Sequence, residues 1–178
     1  MHYNNMKKFL IILFFFKLSY SIAYCIEPDI FVQSTVDRAS QILSKNISKE
    51  EKMNGLKIIA KETVDIRGVG FYSLGATRKN LSDDQKKRYL KLFEDYFLKS
   101  FSSRLSEYTN PKIKVKSKKI INQNYTIVNS VLNSTPERPE VKIDWRVYTK
   151  NPDDPLIRDL IIEGLSLART QKEELHQF

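Results

Sequence analysis

Two residue types that most enzymes and stapled domains rely on are nearly missing. The 178 residues hold one cysteine, Cys25, and two histidines, His2 and His176. A disulfide framework is therefore excluded. So are zinc sites built on His and Cys, and Cys–His or Ser–His–Asp catalytic arrangements in their usual form. Glycine is scarce as well, with five in the chain. Gly68, Gly70 and Gly75 fall close together, but their spacing misses GxGxxG, and no GK[ST] occurs, so they cradle no phosphate. Glycine lowers helix stability by about 1 kcal/mol relative to alanine, so these three are read as serving close packing or a break. There is no repeat and no low-complexity linker. What remains for acid–base chemistry is carboxylates. Asp65, Asp144, Asp159 and Glu163 lie near apolar runs, and a paired-carboxylate hydrolase could be built from two of them. Nothing marks any two as neighbours, and charged groups at helix caps and strand ends explain them as well.

Length points to a single domain large enough to enclose a core. Net charge is +9. The densest basic run is Lys112, Lys114, Lys116, Lys118 and Lys119, in which lysines alternate with Ile113, Val115 and Ser117 as on the wet face of a strand. No helix-turn-helix, zinc or RNA-binding signature accompanies it, so the expectation is no nucleic acid. Attraction to anionic lipid head groups is the other use for such a face.

The N-terminus reads as a secretory signal peptide over residues 1–25, followed by one domain over 26–178. Lys7 and Lys8 precede an unbroken apolar run, Phe9 to Phe16. Small residues permit cleavage after Ala23 or after Cys25. The run is short for a membrane span of roughly 20 residues. Export, and the periplasm of a bacterium, are the expected destination.

Along the rest of the chain, helical periodicity comes first. Asp29 is placed as the cap of a helix from Ile30 to about Ser44, carrying Val32, Val36, Ala39 and Leu43 on one stripe. Ser48 with Glu51 forms a capping box for a second helix to roughly Lys61. A short apolar helix begins near Val64, and after a polar turn Ser82 with Gln85 starts a long one. Its apolar face, Tyr89, Phe93, Tyr96, Phe97, Phe101, Leu105 and Tyr108, is the largest concentration of apolar surface in the chain. After Asn110-Pro111 the period changes to two. Strands are expected at Lys112–Ile120, Tyr125–Leu132, Val141–Tyr148 and Leu156–Ile162, with Gly164 ending or bending the last and a helical tail from Leu167 to Phe178. Helices followed by a meander give an α+β domain with the helices on one face of a curved sheet.

Three stretches resemble the MlaC family of periplasmic phospholipid-binding proteins of the Mla lipid-transport system, also called the toluene-tolerance auxiliary family. The first is Val64 to Gly75, with its Leu74-Gly75 step, continuing into Leu81-Ser82-Asp83-Asp84-Gln85. The second is Phe93-Glu94-Asp95-Tyr96-Phe97 through Tyr108. The third and most specific is Asp159-Leu160-Ile161-Ile162-Glu163-Gly164-Leu165-Ser166-Leu167, which is similar to the family's D-x-x-(I/V)-E-G-(V/L)-S-(L/M) hallmark. The chain departs from the family's pattern at Pro155, where a Trp is usual, and at Arg158, where an aromatic is usual.

The resemblance implies N-terminal helices on the concave face of a twisted, mostly antiparallel four-stranded sheet, with an apolar pocket between them for the tails of a phospholipid. It implies a lining of Val69 and Tyr72 from the short helix and Phe93, Tyr96, Phe97 and Phe101 from the long one. The sheet would add Val128, Leu132, Ile143, Trp145, Val147 and Ile161. It implies a monomeric shuttle with no catalytic step, no metal and no cofactor beyond lipid cargo. The partners implied are an inner-membrane ABC lipid-transport complex and an outer-membrane lipoprotein. Exposing one CH₂ to water costs about 0.8 kcal/mol, so two tails of roughly 30 carbons together need a deep dry pocket to offset on the order of 25 kcal/mol. The competing expectation is a solid-cored periplasmic adaptor that binds membrane surfaces or proteins through its basic face.

Overall fold

The computed structural model describes residues 25–136 and 138–175. The signal-peptide reading of residues 1–25 thus falls almost wholly outside the described residues. Among the described residues five α-helices and five strands follow in order: α1 (Pro28–Ser44), α2 (Lys49–Thr63), α3 (Ile66–Ser73), a 3-10 turn (Gly75–Asn80), α4 (Asp83–Leu105), β1 (Ile113–Asn122), β2 (Tyr125–Leu132), β3 (Val141–Tyr148), β4 (Leu156–Ile162), β5 (Leu165–Ser166) and α5 (Leu167–Leu175). The α+β expectation holds, with the strands in sequential antiparallel order β1-β2-β3-β4-β5.

The local signals for the helix starts are the ones the chain uses. Ser48 and Glu51 form a reciprocal capping box on α2, and Ser82 and Gln85 do the same on α4. At α1 the expectation fails. The helix starts two residues earlier than Ile30, with Pro28 in its first turn and Glu27 in the cap position without a side-chain bond. Proline suits that place because its missing N–H has no partner in a first turn anyway. Asp29 turns outward instead, accepting from Lys118 Nζ of β1 at 2.7 Å. That contact holds its carboxyl below the ordinary carboxylate range, against the small cost of burial. Lys118 also meets Glu27 and so pins the start of α1 to the sheet edge.

The sheet has five strands rather than four. Glu163 (φ 49°) and Gly164 (φ 85°) form a two-residue turn with both residues left-handed, and the chain folds straight back to pair Leu165 with Ile162. Consecutive positive φ values mark the turn type whose twist matches a hairpin, and a glycine in its second place avoids the Cβ clash.

One face of the sheet is covered by helices. α1 lies across β1 and β2, while α3 and α5 pack beside β4, and α2 and α4 lie on those helices. Two cores result. In the first, Val32 and Val36 of α1 close over Val128, Val147 and Ile157. In the second, Val69 of α3, Phe93 and Leu98 of α4, Ala60 of α2 and Ala168 of α5 meet. The space between the two cores is not filled.

Candidate functional site

The unfilled space is a cavity of about 280 Å³. Its floor is the helix-facing side of the sheet, with Leu132, Ile143, Trp145, Ile157 and Ile162. Its walls are Val36, Ala39 and Leu43 of α1, Leu56, Ile59 and Ala60 of α2, and Phe97 and Phe101 of α4. Exposed residues of α4 and α5, among them Tyr96, Arg104, Leu167 and Glu174, rim its opening. Ligand pockets are commonly of about 300–1,000 Å³ and mostly apolar with few polar groups, which is the character of this one.

Each wall has a local reason for its position. On α4 the rings of Tyr89, Phe93, Phe97 and Phe101 form a continuous stack, with centroids 5.9, 6.2 and 5.5 Å apart. Successive rings four residues apart on one helix face meet in this way. Gly70 lets α3 come close to the row: a Cβ there would stand 2.9 Å from Phe93 Cδ1. Tyr89 Oη and Ser73 Oγ hydrogen-bond at 2.8 Å, and burial raises the Tyr89 pKa despite that bond. On the floor, Trp145 Nε1 donates to Ser130 Oγ at 2.8 Å, and Ser130 Oγ donates to the Ile143 carbonyl. The indole's polar edge is thereby satisfied and its apolar body is left to face the cavity.

The twelve residues implied as a lining separate into groups. Val69, Tyr96, Phe97, Phe101, Leu132, Ile143 and Trp145 line the cavity. Phe93, Val128 and Val147 point to the helix-covered side but are filled core, at most 4% exposed. Tyr72 does not line it; it is 47% exposed, with Lys172 Nζ 5.3 Å from its ring centre. Ile161 lies on the opposite face of the sheet, paired with Asp144. A bulge at Arg158 between the Val147–Ile157 and Arg146–Asp159 pairs shifts the alternation, so Leu160 and Ile162 face the cavity in its place. The α1 and α2 residues of the wall were missed. Their apolar stripes were visible, but nothing in a stripe says whether it meets a neighbour or a void.

The four carboxylates considered for catalysis are separately engaged. Asp65 accepts from Gly68 N at 2.8 Å and Arg158 Nε at 2.6 Å. Asp144 accepts from Asn129, and Glu163 from Lys142 N. Asp159 accepts from Ser166 Oγ at 2.6 Å and from Ala168 N at 3.0 Å. Among the described residues no group of His, Cys, Asp and Glu is arranged to hold a metal, and no helix is long and apolar enough to cross a membrane.

Comparison with known proteins places this architecture. Residues 33–178 match the family described as MlaC protein. The chain belongs to the MlaC family. No curated protein matches it. Among solved structures it is similar to the phospholipid-binding protein of Ralstonia solanacearum, determined in complex with a phospholipid, at 16% identity and a TM-score of 0.70 over 85% of this chain and 87% of that one. At that identity the likeness speaks for the fold.

The MlaC hallmark, Asp159 to Leu167, has a structural task here. Asp159 is buried and reaches across the Glu163–Gly164 turn to hold Ser166, whose Oγ in turn accepts from Arg169 N at the start of α5. One carboxylate thus fixes the hairpin and the helix that forms one side of the opening. Arg158, where the family pattern has an aromatic, lies over the Tyr148 ring at 3.7 Å and bonds Tyr125 Oη and Asp65. Burial lowers the pKa of its guanidinium, but the Tyr125 and Asp65 contacts outweigh that and hold it above its usual value. The arginine thereby joins the α2–α3 junction to the outer face of the sheet. Pro155 is buried just before β4.

Proposed function

We propose that this protein is a periplasmic phospholipid carrier. The observation that carries the reading is the apolar cavity between sheet and helices in a chain of the MlaC family, whose solved structural neighbour binds a phospholipid. The acyl tails enter between α4 and α5 and lie against Trp145, Ile143, Phe97 and Phe101, and the head group stays at the opening. No covalent step is required. Loading and release need only an exchange of apolar contacts, bilayer for cavity, and each buried CH₂ contributes about 0.8 kcal/mol.

In this reading residues 1–25 are a signal peptide, removed on export, and 26–178 form the carrier domain. The monomer moves lipid between the outer and inner membranes, exchanging with an inner-membrane ABC lipid-transport complex and an outer-membrane lipoprotein. A solid-cored adaptor working through the β1 lysines has no use for a cavity of this kind.

Native mass spectrometry of protein purified without detergent tests the proposal. A bound two-tailed lipid is expected in the wild type. Phe97→Arg places a charge against the cavity floor and should abolish retention while the protein is still exported and folded. Wild-type protein free of lipid, with no transfer between vesicles, overturns the reading. Phe97 is the better probe than Trp145, because Trp145 is also bonded into the sheet core.

A further inference from the structure

Four charged residues line the cavity: Arg104, Arg158, Asp159 and Glu174. Two are consumed by the fold, Arg158 by Asp65 and Tyr125, and Asp159 by Ser166 and Ala168. The other two are exposed at the opening, Arg104 on α4 and Glu174 on α5. Neither side chain has an ion pair or hydrogen bond among the described residues, with each other or with any neighbour.

Arg104 is in the last turn of α4, where the negative end of the helix dipole favours a cation. Glu174 is on α5, at the other side of the opening. The opening thus presents an unpaired cation on α4 and an unpaired anion on α5, both free to meet a ligand's charges.

We propose that Arg104 and Glu174 form a head-group site for a zwitterionic phospholipid: the Arg104 guanidinium takes the phosphodiester and the Glu174 carboxylate takes the terminal ammonium. The inference rests on the carrier reading above and adds a selectivity to it. A guanidinium offers paired N–H donors to phosphate oxygens, and charge-assisted bonds of this kind are the stronger class of hydrogen bond. An anionic head group keeps the arginine contact but brings nothing positive to Glu174. The opening therefore favours an aminoalkyl phosphodiester over a glycerol one. Because both groups are in water the preference is modest.

The test is loading from vesicles of equal parts phosphatidylethanolamine and phosphatidylglycerol, read by native mass spectrometry of the re-isolated protein. Wild type should take up the ethanolamine lipid in excess. Glu174→Gln should bring the ratio down toward one, a change of roughly threefold. Arg104→Gln should lower retention of both lipids by roughly threefold to tenfold. Excess inorganic phosphate should leave the wild-type ratio unchanged; if it erases the ratio, the site takes free phosphate and the inference is overturned. Lipid-loaded wild type with the same ratio in Glu174→Gln overturns this inference and leaves the carrier intact. Wild type that loads no lipid overturns the carrier reading itself.

Discussion

The two halves of the aromatic row on α4 have the same spacing, yet they do different things. Tyr89 and Phe93 are set against α3, with Phe93 4% exposed and packed beside Val69 and Ala168. Phe97 and Phe101 continue the same stack one and two turns further on, but in front of them is the cavity. Nothing in the helix itself separates the halves. The difference lies in the neighbour: α3 sets Ser73 against Tyr89 and Gly70 against Phe93, whereas Phe97 and Phe101 line the cavity. Phe93 is enclosed in the second core, while Phe97 and Phe101 pack against that core on one side and face the cavity on the other.

The sharpest way to break this comparison is to truncate one ring in each half. Phe93→Ala removes a fully enclosed ring and should cost about 3–5 kcal/mol of stability, the range for a buried phenylalanine. Phe97→Ala enlarges a space that already exists, so less packing is lost and the cost should be about 1–2 kcal/mol, below that range. Denaturant midpoints of the two variants, with equal slopes, measure the difference. Similar losses would show that the row is one continuous core and that the cavity is of no mechanical importance.

A smaller effect probes the neighbour rather than the row. At Gly70 an added Cβ meets Phe93 Cδ1 at 2.9 Å and Leu90 Cδ2 at 3.1 Å, and the Phe93 ring is already enclosed. Gly70→Val should therefore destabilise by about 1–3 kcal/mol through overpacking, even though valine is the better helix former. Its stability should fall while lipid retention survives, because the strain enters at the packed half. Loss of lipid with unchanged stability would reverse the assignment of the two halves.

How much of this was legible in the sequence follows from the range over which each signal acts. The capping boxes at Ser48 and Ser82 were readable because donor and acceptor lie three residues apart. The bounds of β2, β3 and β4 were readable from their period and their flanking turns. Ile161 was misplaced because a single inserted residue, Arg158, reverses the alternation of everything after it in β4, and a bulge depends on the partner strand. The strand β5 is two residues long, too short for any period to show. Val128 and Val147 were placed on the right face, but whether that face is covered at their level depends on where α1 crosses the sheet. Phe93 and Phe97 differ only in what stands opposite them, which no local pattern can carry. The hallmark Asp159 was visible as a motif, and its task of holding Ser166 and the start of α5 emerged only once β4, β5 and α5 were in place.

The smallest predicted effect is titrational and belongs to the packed half alone. Tyr89 is partly buried against α3, and burial raises its pKa although the Ser73 hydroxyl bond acts the other way. The sign follows from linkage. The folded value lies above the unfolded value of 10.0, so the unfolded chain gives up this proton first as pH rises. The contribution of neutral Tyr89 is complete below pH 10 and is lost as pH climbs from there through the folded value. Tyr89→Phe has no proton to lose, so its stability should decline less steeply over that alkaline window than the wild type's. Ultraviolet titration of the folded proteins should show one late-ionising tyrosine in the wild type that is missing in the variant. If the two alkaline profiles coincide, folding does not shield Tyr89 from water, and the packed half is reduced to Phe93.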